Sequence, residues 1–177
     1  MTIVKLGYVA MSVQLTNASP SKTMTYAQFS KLKDREAAIE KLERISIENL
    51  ENCLRLLKHN VANDIRFFRF SSKLIPLANH EEVKDWKFMR PLKGILSQIG
   101  DYIEENPMRV DFHPDHFVLL NSKKKEIINQ TIKTLSMHRS LLKGMSVPTQ
   151  HRCVLHIGGG YDDRELALEQ FIHNFAL

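Results

Sequence analysis

The chain has 177 residues, 43% hydrophobic and 25% charged, which suits one well-cored globular domain and excludes a disordered or fibrous chain. No apolar run approaches the roughly eighteen residues that span a bilayer. The start, Met1-Thr2-Ile3-Val4-Lys5-Leu6, lacks the basic, apolar and small-residue order of a secretory signal, so a cytoplasmic protein with no membrane association is expected. The formal charge of +5 permits a polyanionic partner without demanding one.

In chain order, a first strand is expected near Ile3 to Gly7, followed by a long polar loop with Asn17-Ala18-Ser19-Pro20-Ser21 as its turn signal. A basic cluster, Lys31, Lys33 and Arg35, belongs to that loop. The first helix is expected from Asp34 to His59, where Leu42, Ile45, Leu50, Cys53, Leu54 and Leu57 recur at helical spacing. Ile65 to Phe70 reads as the second strand. Arg90 to Glu105 reads as the second helix, with Pro91 in its first turn and Pro107 blocking continuation. Met108 to Phe112 is the third strand. Ser122 is expected to cap the next helix, which starts at Lys123-Lys124-Lys125-Glu126 and stops at Gly144. A fourth strand, Arg152 to Ile157, and a final helix from Asp163 to about Phe175 complete the pattern. Cys53 and Cys153 are a hundred residues apart in regular segments, which suggests reduced thiols rather than a disulfide or a zinc knuckle.

Alternating strands and helices imply an α/β fold with a parallel sheet. Four such units are half of a (β/α)8 barrel, which typically needs about 250 residues. Residues 1–177 then form a single incomplete barrel domain with open edges and a final helix carrying Phe171, Ile172, Phe175 and Leu177. Either the chain is a fragment or two copies associate to cover that surface.

Three histidines follow the second, third and fourth strands: His80, His113 and His156. In parallel α/β sheets, ligands bind at the carboxyl ends of the strands. Imidazole is a common ligand for Zn and suits Mn and Fe, so three there suggest a metal site. A lone histidine at a strand end is nevertheless more often a polar residue bonded to a loop, and that reading stands beside the metal one. For Lys123, Lys124 and Lys125, a solvated helix start and a phosphate contact are both open.

Several motifs, in order, cover the chain: Leu6-Gly7-Tyr8, Asn17-Ala18-Ser19-Pro20-x-Lys22-Thr23, Arg69-Phe70-Ser71-Ser72-x-x-x-Pro76-Leu77-Ala78-x-His80, Phe112-His113-Pro114 and His156-Ile157-Gly158-Gly159-x-Tyr161. Here the sequence resembles the UV-damage endonuclease family, metal-dependent (β/α)8 barrels similar in architecture to endonuclease IV and the xylose isomerase-like barrels. The resemblance implies an N-terminal half-barrel of an enzyme that incises double-stranded DNA 5′ of UV photoproducts in repair. It implies divalent metal, Mn foremost with Zn or Mg as alternatives. His80 and His113 match metal ligands and His156 joins their cluster, while the carboxylates of later strands are absent, so the chain alone is expected to be inactive. It further implies that His116 and Phe117, after Asp115, press into DNA at the lesion, where the family pattern is glutamine then aromatic. Tyr8 matches a residue near the flipped lesion, and Ser12 stands near a place where the family carries asparagine. Other readings are a non-catalytic DNA-binding remnant and a metal-dependent sugar isomerase-like barrel. Basic charge and the Asp115-His116-Phe117 run favour DNA over sugar.

Overall fold

A computed structural model describes residues 4–148, 153–159 and 161–176. Its centre is a parallel three-stranded sheet in the order β1 (Gly7–Val9), β2 (Phe67–Ser71), β3 (Arg109–His113). The register aligns Gly7 with Phe67 and Arg109, Val9 with Arg69 and Asp111, and Ser71 with His113. Side chains alternate across a strand. Tyr8, Phe68, Phe70, Val110 and Phe112 therefore share one face, and Arg69, Asp111 and His113 share the other.

The first face carries the core. Phe68, Phe70, Val110 and Phe112 are fully buried with Leu42, Leu50, Leu56 and Leu57 of α2 (Arg35–Ala62), Leu92, Leu96 and Ile99 of α3 (Met89–Glu105), and Leu141 of α4 (Lys125–Gly144). Asp34 caps α2 by accepting from the amides of Glu36 and Ala37, which fixes its start where the sequence places it. At Gly100 a side chain would collide with the Met145 carbonyl, so glycine lets α3 meet the end of α4 at close range.

Five expectations need correction. The first strand runs Gly7–Val9 rather than Ile3 to Gly7, and Ile3 lies outside the described residues. A short helix, α1 (Tyr26–Ser30), interrupts the polar loop, closed by a reciprocal capping box between Thr25 and Gln28. Arg35 begins α2 and reaches Asp85 at 2.6 Å, so it leaves the expected loop cluster. Ser122 does not cap α4: its hydroxyl accepts from the Lys124 amide at 3.1 Å, and Lys124 is the cap position without a side-chain bond. The fourth strand does not join the sheet. Arg152 lies outside the described residues, and 153–159 run without a ladder. Val154 and Ile157 of that segment are exposed. The last helix, α5 (Arg164–Phe175), is present. Among the described residues no helix is long and apolar enough to cross a membrane.

Candidate functional site

The loops after β1 and β2 are held by polar side chains of α2, of which Asn49 and Asn52 are buried. Asn49 donates to the carbonyls of Lys22 and Leu74 at 2.9 Å each and accepts from the Lys22 amide. Asn52 donates to the Ser19 carbonyl and Arg55 to that of Asn17. Ser21 bonds Ser71 at the tip of β2, 2.9 Å away. Loop backbone that would otherwise be mobile is thus tied to a rigid helix beside the carboxyl ends of the strands. The only hint of this in the sequence is polar asparagine interrupting an apolar helix face.

The structure brings His113 and His156 together, edge to face, with ring centroids 5.8 Å apart. The Nδ1 of His113 is buried without a hydrogen-bond partner, which fits a nitrogen meant to meet a further group. His80 is engaged elsewhere. Its ring stacks on Tyr26 at 4.3 Å, and its Nδ1 accepts from the Glu82 amide at 3.3 Å, capping a 3₁₀ turn over Glu81–Val83. A neutral imidazole that accepts at one nitrogen carries its proton on the other. In this arrangement His80 has no lone pair left for a metal, and ligation requires that the capping bond be given up. Among the described residues no group of three or more His, Cys, Asp or Glu is placed to hold a metal ion. His113 and His156 fit the beginning of a metal centre; the remaining donors are not assembled around them.

Next to this pair stands an exposed ridge. Thr131 of α4 bonds both the amide and carbonyl of Leu119, at 3.0 and 3.3 Å, and so fixes the loop after β3. Asp115 turns that loop, with its carbonyl accepting from Val118. The His116 Nδ1 lies 2.9 Å from the Asp115 carboxylate, and the His116 and Phe117 rings are 3.9 Å apart. Phe117 is 70% exposed. It borders a cleft of about 600 Å³ that also contains Thr23, Lys73, His80, Asp115, Gln130 and Thr134. His116 borders a second cleft, about 610 Å³, with Leu155, His156 and Gly158. The two rings therefore separate one cleft at His80 from another at His156.

Beneath the paired histidines, on the same sheet face, lies the buried carboxylate of Asp111. Arg69 Nε is 3.2 Å from it without hydrogen-bond alignment, and Arg109 is 4.0 Å away. Burial pushes the Asp111 carboxyl up to about 6, and the two guanidinium groups only partly oppose that. Burial likewise raises the Cys153 thiol, against an opposing bond from the Phe112 backbone. On the far side of β3, His138 of α4 stacks flat on Phe112 at 4.2 Å with neither ring nitrogen bonded, and burial lowers it to about 4. Sequence reasoning missed both groups.

Tyr8 faces the helices, not the strand-end clefts. It packs edge-on against Phe68, and its hydroxyl donates to Asn60 of α2 at 2.5 Å. Burial raises its hydroxyl, partly offset by Asn60 and Ser12. Lys123, Lys124 and Lys125 are all exposed. Lys123 lies over the Tyr161 ring and 3.7 Å from Asp162, while Asn121 donates to the Gly159 carbonyl, so the lysine run is tied to the segment entering α5.

Comparison with known proteins places this geometry in context. The family profile described as "UV-endonuclease UvdE" matches residues 4–177. A protein named UV DNA damage endonuclease from Halalkalibacterium halodurans is 56% identical over 173 residues, 98% of this chain and 54% of that protein. One of the same name from Bacillus pumilus is 38% identical, across 96% of this chain and 52% of that protein. A crystal structure described as SacUVDE superposes with a TM-score of 0.84 at 32% identity, covering 98% of this chain and 56% of that one. The chain spans about half the length of the relatives it matches.

Proposed function

This chain belongs to the UV-endonuclease UvdE family, and from that premise we propose that it supplies the lesion-reading half of a metal-dependent DNA repair endonuclease. The enzyme would incise duplex DNA 5′ of UV photoproducts, and the chain would be the first half of a (β/α)8 barrel. The observation that carries the reading is the exposed His116–Phe117 ridge between the two strand-end clefts. Phe117 presents a rigid apolar ring to solvent beside the clefts, the form that a wedge between bases takes. A bulky lesion weakens base stacking, so a wedge can separate damaged from intact duplex without reading sequence. Basic charge and Lys123, Lys124 and Lys125 would hold the phosphate backbone.

His113 and His156 are the residues that would hold a divalent ion, Mn foremost, with Zn or Mg as alternatives, and His80 would join once its capping bond is released. Such an ion supplies an activated water and charge opposite the scissile phosphate. The chain's own residues position DNA: α2 fixes the loops, Thr131 fixes the ridge, and Phe117 enters the stack. Alone, the chain lacks most of the donor set and would not cleave.

The test is binding of this chain to duplexes with and without a single UV photoproduct. Phe117→Ala should cut the damaged-to-undamaged affinity ratio by about tenfold, since stacking on an aromatic contributes roughly 1–3 kcal/mol per base. Its affinity for intact duplex should change little. An unaltered ratio would show that Phe117 is a loop anchor only.

A further inference from the structure

His80 is not left to turn freely at its strand end. Its ring lies flat on Tyr26, with centroids 4.3 Å apart and planes within 14° of parallel. Tyr26 is the first residue of α1, whose start is fixed by the reciprocal bonds of Thr25 and Gln28. Behind it, Tyr26 stacks on the buried Phe29, and the Arg35 guanidinium lies over Phe29 at 5.9 Å. Arg35 also donates to the Glu82 carbonyl at 3.1 Å, so one residue steadies both the aromatic plate and the 3₁₀ turn that His80 caps. The residues on either side of His80 are tied to α4: Asn79 donates to Thr134 at 3.3 Å, and Glu81 pairs with Lys133 at 3.4 Å. The chain enters this turn through Leu77, whose left-handed backbone (φ 58°) a leucine side chain disfavours, and the Leu77 carbonyl accepts from the His80 amide at 2.9 Å. Strain held in place by its surroundings gathers at functional sites.

From this arrangement we infer that Tyr26 is a positioning residue for His80. It fixes the plane of the imidazole, so that the ring passes from capping the Glu82 amide to holding a divalent ion without leaving the face of Tyr26. The inference rests on the reading above that His80 joins His113 and His156 at a metal centre. Its physical basis is the torsion about Cβ–Cγ. That torsion is broadly two-fold, and a half-turn exchanges Nδ1 with Cδ2 while the ring stays in its plane. The stack therefore survives the turn, and the bond given up is the 3.3 Å contact with Glu82. Without the plate, metal binding must also restrain a free side chain, which lowers affinity. An aliphatic side chain would fill the same space, but a parallel aromatic stack also sets an orientation.

The test titrates the 177-residue chain, carrying isotope-labelled histidine, with Zn²⁺ and follows the ring nitrogens by long-range NMR. A coordinated nitrogen leaves the position of a bare one. In the parent, one His80 nitrogen should shift along with those of His113 and His156. The ring-current shift that Tyr26 gives the His80 protons should persist at saturating zinc. Its loss on binding would mean that the ring departs from Tyr26, and overturns the inference without any variant. Tyr26→Leu keeps apolar volume and loses the flat face, and should raise the zinc concentration at half-shift of His80 about tenfold. Tyr26→Phe keeps the ring and should match the parent. Equal midpoints in Tyr26→Leu and the parent overturn the inference, as does a Tyr26→Phe that binds as weakly as Tyr26→Leu. Zinc that shifts His113 and His156 but leaves His80 unmoved overturns it too, and leaves the metal reading standing. Zinc that shifts none of the three removes the metal reading, and the inference with it.

Discussion

His138 offers a direct measurement of how tightly the sheet and α4 close. Its ring is 1% exposed, lies flat on Phe112, and makes no hydrogen bond through either nitrogen. Burial lowers its pKa from 6.5 to about 4. The folded state thus holds the neutral ring, while the unfolded chain takes up a proton near pH 6.5. The stability that follows is fully present above that value and lost as pH falls toward 4. Linkage puts the loss at about 2 kcal/mol by pH 5 and about 3 kcal/mol by pH 4. For a domain of this size, the loss at pH 5 corresponds to about 4–8 °C in Tm. His138→Phe retains a ring against Phe112 and removes the titration. Any cost of the larger ring is the same at every pH, so it cancels when the stability difference between variant and parent is compared across pH. Urea unfolding followed by circular dichroism should show that difference moving in the variant's favour by about 2 kcal/mol from pH 7 to pH 5. An unchanged difference would mean that water reaches the ring and the α4–β3 contact is open.

Calorimetric titration of this chain with Mn²⁺ should give only weak binding, since the structure joins two of the expected histidines and leaves His80 as a cap; sub-micromolar affinity would contradict this. Gly100→Ala should lower stability by about 1–3 kcal/mol in urea unfolding, because the methyl group meets the Met145 carbonyl. Without that contact, alanine in a helix interior would stabilise instead, so the sign of the change decides whether α3 and the α4 terminus are held together.

Legibility in the sequence followed the range of the interactions. The body of α2 could be read because Leu42, Ile45, Leu50, Cys53 and Leu57 repeat at one helical face and Asp34 caps it locally. Strands β2 and β3 could be read from their aromatic and branched residues, but each ends one residue later than expected, at Ser71 and His113. Ladder pairing is a property of two strands, and polar residues extend it without any hydrophobic signal. The Thr25/Gln28 capping box was local and readable, yet α1 is too short for periodicity to mark. The fourth strand failed for the opposite reason: Cys153-Val154-Leu155 has strand-like residues, yet 153–159 form no ladder. At the site, His113 stands at the end of β3 as expected, while His156 reaches it from an unpaired segment. The capping role of His80 depends on how the loop turns back toward Tyr26. Nothing in the sequence marks Asp111 or His138 as buried, because burial depends on what α4 and the 153–156 segment cover.

Asp111 and His138 lie on opposite faces of β3 and titrate in opposite senses. The carboxyl of Asp111 is raised from 3.8 to about 6 by burial. Folding therefore favours its protonated form, and the stability it contributes is full below pH 3.8 and lost as pH rises through about 6. Between pH 4 and pH 7 that loss is about 2 kcal/mol. Over the same interval His138 loses about 3 kcal/mol in the other direction, so the two largely offset one another in the parent. Asp111→Asn removes the acid's share while keeping its shape, and Arg69, 22% exposed in its side chain, remains partly solvated. This variant should become steeply less stable as pH falls from 7 to 4. His138→Phe should become more stable over the same fall, and the double variant should return to a shallow profile. Urea midpoints across that range test all three, and slopes of the same sign in the two single variants would show that one of these groups is not buried as described.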